Sequence, residues 1–107
     1  MTLSTHVLDT ERGQPAVGVT VALVCDGQTL ARGVTDVDGR IRDLGGSALV
    51  AGRYTLVFDV AAYFVSQGRP GSFLQRISVD FQTEAPDRHY HVPLLLSAYA
   101  GTVYRGS

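Results

Sequence analysis

His89-Tyr-His-Val-Pro-Leu-Leu-Leu-Ser-Ala-Tyr-Ala-Gly-Thr-Val-Tyr-Arg-Gly-Ser107 is the stretch whose reading decides the fold. Its apolar run is the densest in the chain. Read as a strand, period-2 geometry puts Tyr90, Val92, Leu94 and Leu96 on one face and His89, His91, Pro93 and Leu95 on the other. The apolar quartet is the core side, so the histidines point away from the core. Pro93 has no N–H to give, which predicts an edge or a bulge at that point. The polar end Tyr104-Arg105-Gly106-Ser107 follows a core strand directly, where a chain usually frays. Gly106 lets the backbone turn in beside a ligand, and Arg105 and Ser107 supply hydrogen-bonding groups.

Working outward, the remaining segments repeat the strand pattern. Leu3, Thr5 and Val7 share one face of a short N-terminal run, and Ser4, His6 and Leu8 share the other. Val19 to Cys25 is β-branched and alternating. Asp26-Gly27 predicts a hairpin turn into a second strand over residues 29–36. Asp36-Val-Asp-Gly39 reads as a tight turn with Gly39 at a positive-φ position and Arg40 just beyond. Residues 52–58 and 75–82 alternate Tyr54, Leu56, Phe58 and then Ile77, Val79, Phe81 inward. Asp59 predicts an N-cap for one short helix over residues 60–67, stopped by Gly68 and Pro70. Residues 87–97 and 102–105 complete a set of seven or eight short strands. The expectation is an all-β chain: an antiparallel β-sandwich over residues 1–107, as a single domain.

Composition narrows the function. The chain has 107 residues, nine basic and ten acidic, so it carries no charge excess suited to nucleic acid or an anionic membrane. All nine basic residues are Arg, which excludes lysine nucleophiles and Schiff bases. The single Cys25 cannot form an internal disulfide, sits in an apolar strand, and reads as a buried thiol in a reducing compartment. No signal peptide or membrane span is visible, and the expected location is the cytoplasm.

The reactive inventory is small. No nucleophile elbow, Cys-x-x-Cys pair or phosphate loop is present. Asp36-x-Asp38-Gly39 lacks the spacing and bidentate acid of a calcium loop. His89-x-His91, with His6, has donors that suit Zn²⁺, but no carboxylate at a recognisable interval completes a metal site. The other reading is that His6 and His91 handle protons near neutral pH. Arg40 would then hold a carbonyl or an anion through its fork of donors.

Leu3-Ser-Thr-His-Val-Leu-Asp9 with Gly13-x-Pro-Ala16, then Asp38-Gly-Arg40, Tyr63-Phe64, His91-Val-Pro-Leu-Leu-Leu-Ser97 and Tyr104-Arg-Gly-Ser107 occur in that order. Together they resemble the transthyretin-related 5-hydroxyisourate hydrolases of urate breakdown. The resemblance runs from residue 3 to the C-terminus, although Ala98 to Val103 depart from that family's usual continuation. It implies a transthyretin-like sandwich of two four-stranded sheets with a short helix. It also implies a homotetramer, a dimer of dimers, with 5-hydroxyisourate bound in the grooves between dimers and no metal or cofactor. Carried over by motif, His6, Arg40 and His91 are catalytic, and Tyr104, Arg105, Gly106 and Ser107 line the substrate. His89 lies outside that motif set and is expected to be dispensable. The alternative is a non-catalytic, transthyretin-like carrier of a small hydrophobic ligand, which needs the fold but neither the histidines nor the terminal tetrapeptide.

Overall fold

Alternating side chains build two sheets that face each other. The computed structural model describes residues 1–85 and 87–107. In chain order the elements are β1 (Thr2–Asp9), β2 (Gln14–Pro15), β3 (Thr20–Cys25), β4 (Gln28–Val34) and β5 (Arg40–Ile41). They continue with β6 (Arg53–Asp59), α1 (Val60–Ser66), β7 (Arg76–Gln82), β8 (His89–Leu96) and β9 (Gly101–Val103). One sheet runs β4-β3-β6-β7. The other runs β2-β1-β8-β9, with the two-residue β5 sharing an edge of β1 with β2. Each sheet is thus four strands across, the transthyretin-like sandwich expected.

The inner faces are those that parity assigned. Leu3 and Val7 of β1, Val21 and Leu23 of β3, Leu56 and Phe58 of β6, and Leu94 and Leu96 of β8 are wholly buried. Each such side chain contributes about 1.5–3 kcal/mol on leaving water. Asp26 and Gly27 both take positive φ, as a two-residue hairpin requires. Asp59 caps α1 by accepting the Ala62 N–H at 3.3 Å, and Tyr63 and Phe64 carry that helix into the core.

Four local expectations shift. The β1–β8 ladder is parallel, pairing Thr2 with His89 through Asp9 with Leu96, while the other ladders are antiparallel. The chain leaves β1, builds the opposite sheet and returns, so β8 comes back in the same direction. Pro93 lies in this internal strand, not at an edge. It faces β9 where that ladder fails: Tyr104 donates its N–H to the Pro93 carbonyl at 3.4 Å, and proline returns no bond. The last strand accordingly ends at Val103 and not Arg105. Cys25 ends β3 beside the turn and is only partly buried.

A buried polar cluster fastens the helix to β1. Asp9 is fully buried, accepts the Tyr63 hydroxyl at 2.7 Å and pairs with Arg69. Arg69 lies over the Phe64 ring, 4.8 Å from its centroid. Burial alone would raise the Asp9 carboxyl, but the hydrogen bonds from Arg69 and Tyr63 outweigh it and the net shift is downward. The Tyr63 phenol, buried and facing that carboxylate, is pushed up to about 12.

Candidate active site

The outward face of β1 and β8 carries the histidines. Register sets Ser4 beside His91 and His6 beside Pro93. On the other edge of β1, β5 sets Arg40 opposite His6. A self-contained turn puts Arg40 there. The Asp36 carboxylate accepts the N–H groups of Asp38 at 2.9 Å and Arg40 at 3.0 Å, and the Gly39 N–H reaches the Asp36 carbonyl at 2.9 Å. Gly39 has φ 73°, and a Cβ there would stand 2.6 Å from the Val7 carbonyl oxygen. The turn docks on β1 because Val7 donates its N–H to the Gly39 carbonyl at 2.8 Å. Asp36 also takes Arg42 at 2.7 Å, and Arg42 reaches Asp38 at 3.6 Å. Among the described residues, no carboxylate pairs with Arg40, so its guanidinium is available to a ligand.

Both imidazoles are biased toward the neutral form. Partial burial, then the Arg40 charge, holds His6 below the usual histidine range. For His91 the causes are burial, Arg40, and the two neighbouring histidines His6 and His89. The nearby backbone of Asp38 favours protonation of His6, and that of Ser4 does the same for His91, without reversing either shift. A histidine kept neutral at working pH is poised to accept a proton. Among the described residues, no three His, Cys, Asp or Glu side chains are grouped to hold a metal.

The terminal tetrapeptide divides between the two sides of the sheet. Gly106 bridges His91, donating its N–H to the His91 carbonyl at 2.7 Å. Gly106 therefore follows the face of His91, and Ser107 extends from it. Tyr104 borders a cavity of about 420 Å³ that Tyr90, Val92 and Arg105 also line. Arg105 turns away from the histidine face. Its guanidinium stacks 4.4 Å from the Tyr90 ring centroid and lies 3.5 Å from the Asp87 carboxylate. The structure thus gathers His6, Arg40, His91 and Gly106 on one face. It does not bring Arg105 to the histidines, because alternate residues of an extended chain point to opposite sides.

The model of the HIUase/Transthyretin family matches residues 3–106. The chain belongs to this family. Within it, 5-hydroxyisourate hydrolase of Caulobacter vibrioides is 44% identical over 112 residues, covering 98% of this chain and 97% of its own. The structure of Klebsiella pneumoniae 5-hydroxyisourate hydrolase superimposes with a TM-score of 0.91 at 42% identity, covering all of both chains. Sea bream transthyretin, solved in complex with thyroxine, gives a TM-score of 0.88 at 32% identity over 99% of this chain and 95% of its own.

For this family member, sequence reading missed the residues around the histidines. Ser4 stands within hydrogen-bonding distance of both His89 and His91. A cavity of about 350 Å³ opens beside it, lined by Ser4, Thr5, Arg40, Ile41, Arg42 and His89. The larger concavity of about 460 Å³ at the Asp26-Gly27 hairpin holds none of the candidate residues. The one available signal was parity, since Ser4 shares the outward face of β1 with His6. Its partner became visible only with the parallel register.

Proposed function

We propose that this chain hydrolyses 5-hydroxyisourate by adding water to a ring amide. The observation that carries the reading is the convergence of His6, Arg40 and His91 on one outward face in a chain 44% identical to a 5-hydroxyisourate hydrolase. One neutral imidazole takes a proton from water as hydroxide oxygen bonds to the carbonyl carbon. Arg40 faces the oxyanion that develops there. The carbon–nitrogen bond then breaks as the imidazolium so formed returns that proton to the leaving nitrogen, and the other imidazole, still neutral, hydrogen-bonds the ring. The product is the opened ring acid, 2-oxo-4-hydroxy-4-carboxy-5-ureidoimidazoline, a step of cytoplasmic urate breakdown. No metal, cofactor or covalent intermediate enters this scheme. Tyr104, Gly106 and Ser107 border the bound ring, with Arg105 holding the tail through Tyr90 and Asp87.

The face is open in one subunit, whereas such chemistry gains from excluding bulk water. A second copy covering it, in a homotetramer built as a dimer of dimers, supplies that exclusion. The likeness to a transthyretin solved with thyroxine favours a second reading, a carrier of a small hydrophobic ligand. The deciding experiment follows the absorbance of freshly generated 5-hydroxyisourate. Hydroxyisourate hydrolase activity appears as decay much faster than the spontaneous rate, and an unchanged rate supports the carrier.

A further inference from the structure

Ser4 has one hydroxyl hydrogen and stands between two imidazoles. Its Oγ is 2.7 Å from Nδ1 of His91 and 2.9 Å from Nε2 of His89. It donates to one and accepts from the other. Beyond it, Nδ1 of His89 is 2.6 Å from the Thr2 hydroxyl, which reaches the Arg88 carbonyl at 3.4 Å. The four side chains form one line along the outward face, and the whole line is ordered in one of two directions.

The Thr2 end chooses between them. The Thr2 hydroxyl has a carbonyl ahead of it, which only accepts. If Thr2 donates there, it accepts from Nδ1–H of His89. Nε2 of His89 is then bare and accepts from Ser4, and Ser4 accepts from Nδ1–H of His91. The line therefore ends with the hydrogen on Nδ1 of His91, the nitrogen turned toward Ser4, and the neutral ring keeps Nε2 bare. Gly106 packs against the same side of the ring, since a Cβ there would fall 2.5 Å from Cδ2, the carbon adjoining Nε2.

We propose that Ser4 and His89 are positioning residues that, with Thr2 behind them, hold His91 as its Nδ1–H tautomer and present Nε2 as the proton acceptor for the attacking water. The proposal rests on the hydrolase reading and gives His89, outside the recognised motif, a role through Ser4. As Nε2 takes the proton of water, Nδ1–H keeps its bond to Ser4 Oγ, and no proton need leave the site. Without Ser4 the ring samples the Nε2–H form, which cannot accept. Arg40 and His6 disfavour the cation of this ring, and the hydrogen bond between Nδ1–H and Ser4 Oγ works against that bias as the imidazolium forms.

The test combines turnover with the ¹⁵N spectrum of histidine-labelled, untagged protein. Wild-type His91 is expected to show protonated Nδ1 and bare Nε2. Ser4→Ala is expected to lose about 10–100-fold in kcat, the range found when the outer partner of a metal-bound imidazole is removed, with KM little changed and the Nε2–H form appearing. Ser4→Thr, which keeps the hydroxyl, is expected to restore both. His89→Ala, at an exposed position, is expected to shift the tautomer and kcat the same way by a smaller factor. Nε2–H on wild-type His91, or a Ser4→Ala protein with unchanged tautomer and kcat, overturns the proposal. The spectrum needs no substrate. Wild-type protein that shows the Nδ1–H tautomer but does not accelerate decay of 5-hydroxyisourate overturns the hydrolase reading instead.

Discussion

Gly106 gives its N–H to the carbonyl of His91 at 2.7 Å and leaves no room for a side chain against the imidazole. That bridge seats the terminal tetrapeptide on the strand that carries the histidine. Gly106→Ala is expected to displace either the tail or the ring. A misplacement of about 1 Å near reacting groups costs about 10²-fold in rate. Steady-state kinetics should show this loss with unchanged circular dichroism. Wild-type turnover would mean that the tail and the ring act independently.

His6→Ala and His91→Ala should each lose about 10²–10⁴-fold in turnover, as expected for a missing acid or base. Arg40→Ala should lose about 10²–10³-fold. All three side chains are on the outward face, so unfolding midpoints should stay close to wild type. Near-normal rates in all three, on folded protein, would favour the carrier reading.

Both imidazoles lie below their usual range, chiefly through burial and then through Arg40. A lowered value means that the neutral, proton-accepting form persists to lower pH and is lost only as pH falls through that value. The acid limb of kcat/KM is therefore expected below the ordinary imidazole value of about 6.5. Arg40→Gln removes a neighbouring cation and should move this limb upward. A limb at or above about 6.5 in the wild type would contradict the arrangement.

A tag discriminates the two ends of the chain. An extension after Ser107 adds bulk beside His91, whereas one before Met1 emerges near Ser47 and Leu49, whose carbonyls accept the Met1 amine. The C-terminal extension is expected to cut turnover severely and the N-terminal one to do little. Equal activity of both fusions would show that the tetrapeptide has no part in the site.

Arg69→Met leaves the Asp9 carboxylate buried against Tyr63 without its cation. Removing one partner of a buried pair costs about 3 kcal/mol, readable from denaturant unfolding. Asp9 lies below its unfolded value, so its contribution is complete above the ordinary carboxylate range and is lost as pH falls through the folded value. The wild type should therefore lose more stability than the variant on acidification. Parallel pH profiles for the two proteins would show that the cluster adds nothing.

Local physics made much of this molecule legible from its residues. Alternation is a property of each strand alone, so the inward set Tyr90, Val92, Leu94, Leu96 and the outward His6 and His91 follow without a partner in view. The Asp26-Gly27 turn, the Asp59 cap and the Gly39 conformation are likewise decided within a few residues. The terminal motif then carried the family. What parity cannot supply is the neighbour. The parallel pairing of β1 with β8 joins residues more than eighty positions apart, and it alone sets Ser4 between His89 and His91. The β5 bridge brings Arg40 to His6, and helix docking brings Arg69 to Asp9. Arg105 faces away from the histidines because its segment stays extended along β8 beyond the end of β9 at Val103. Face is written along the chain by the two-residue repeat of a strand. Register and partner are settled when distant segments bury their apolar sides together, and only the tertiary structure decides them.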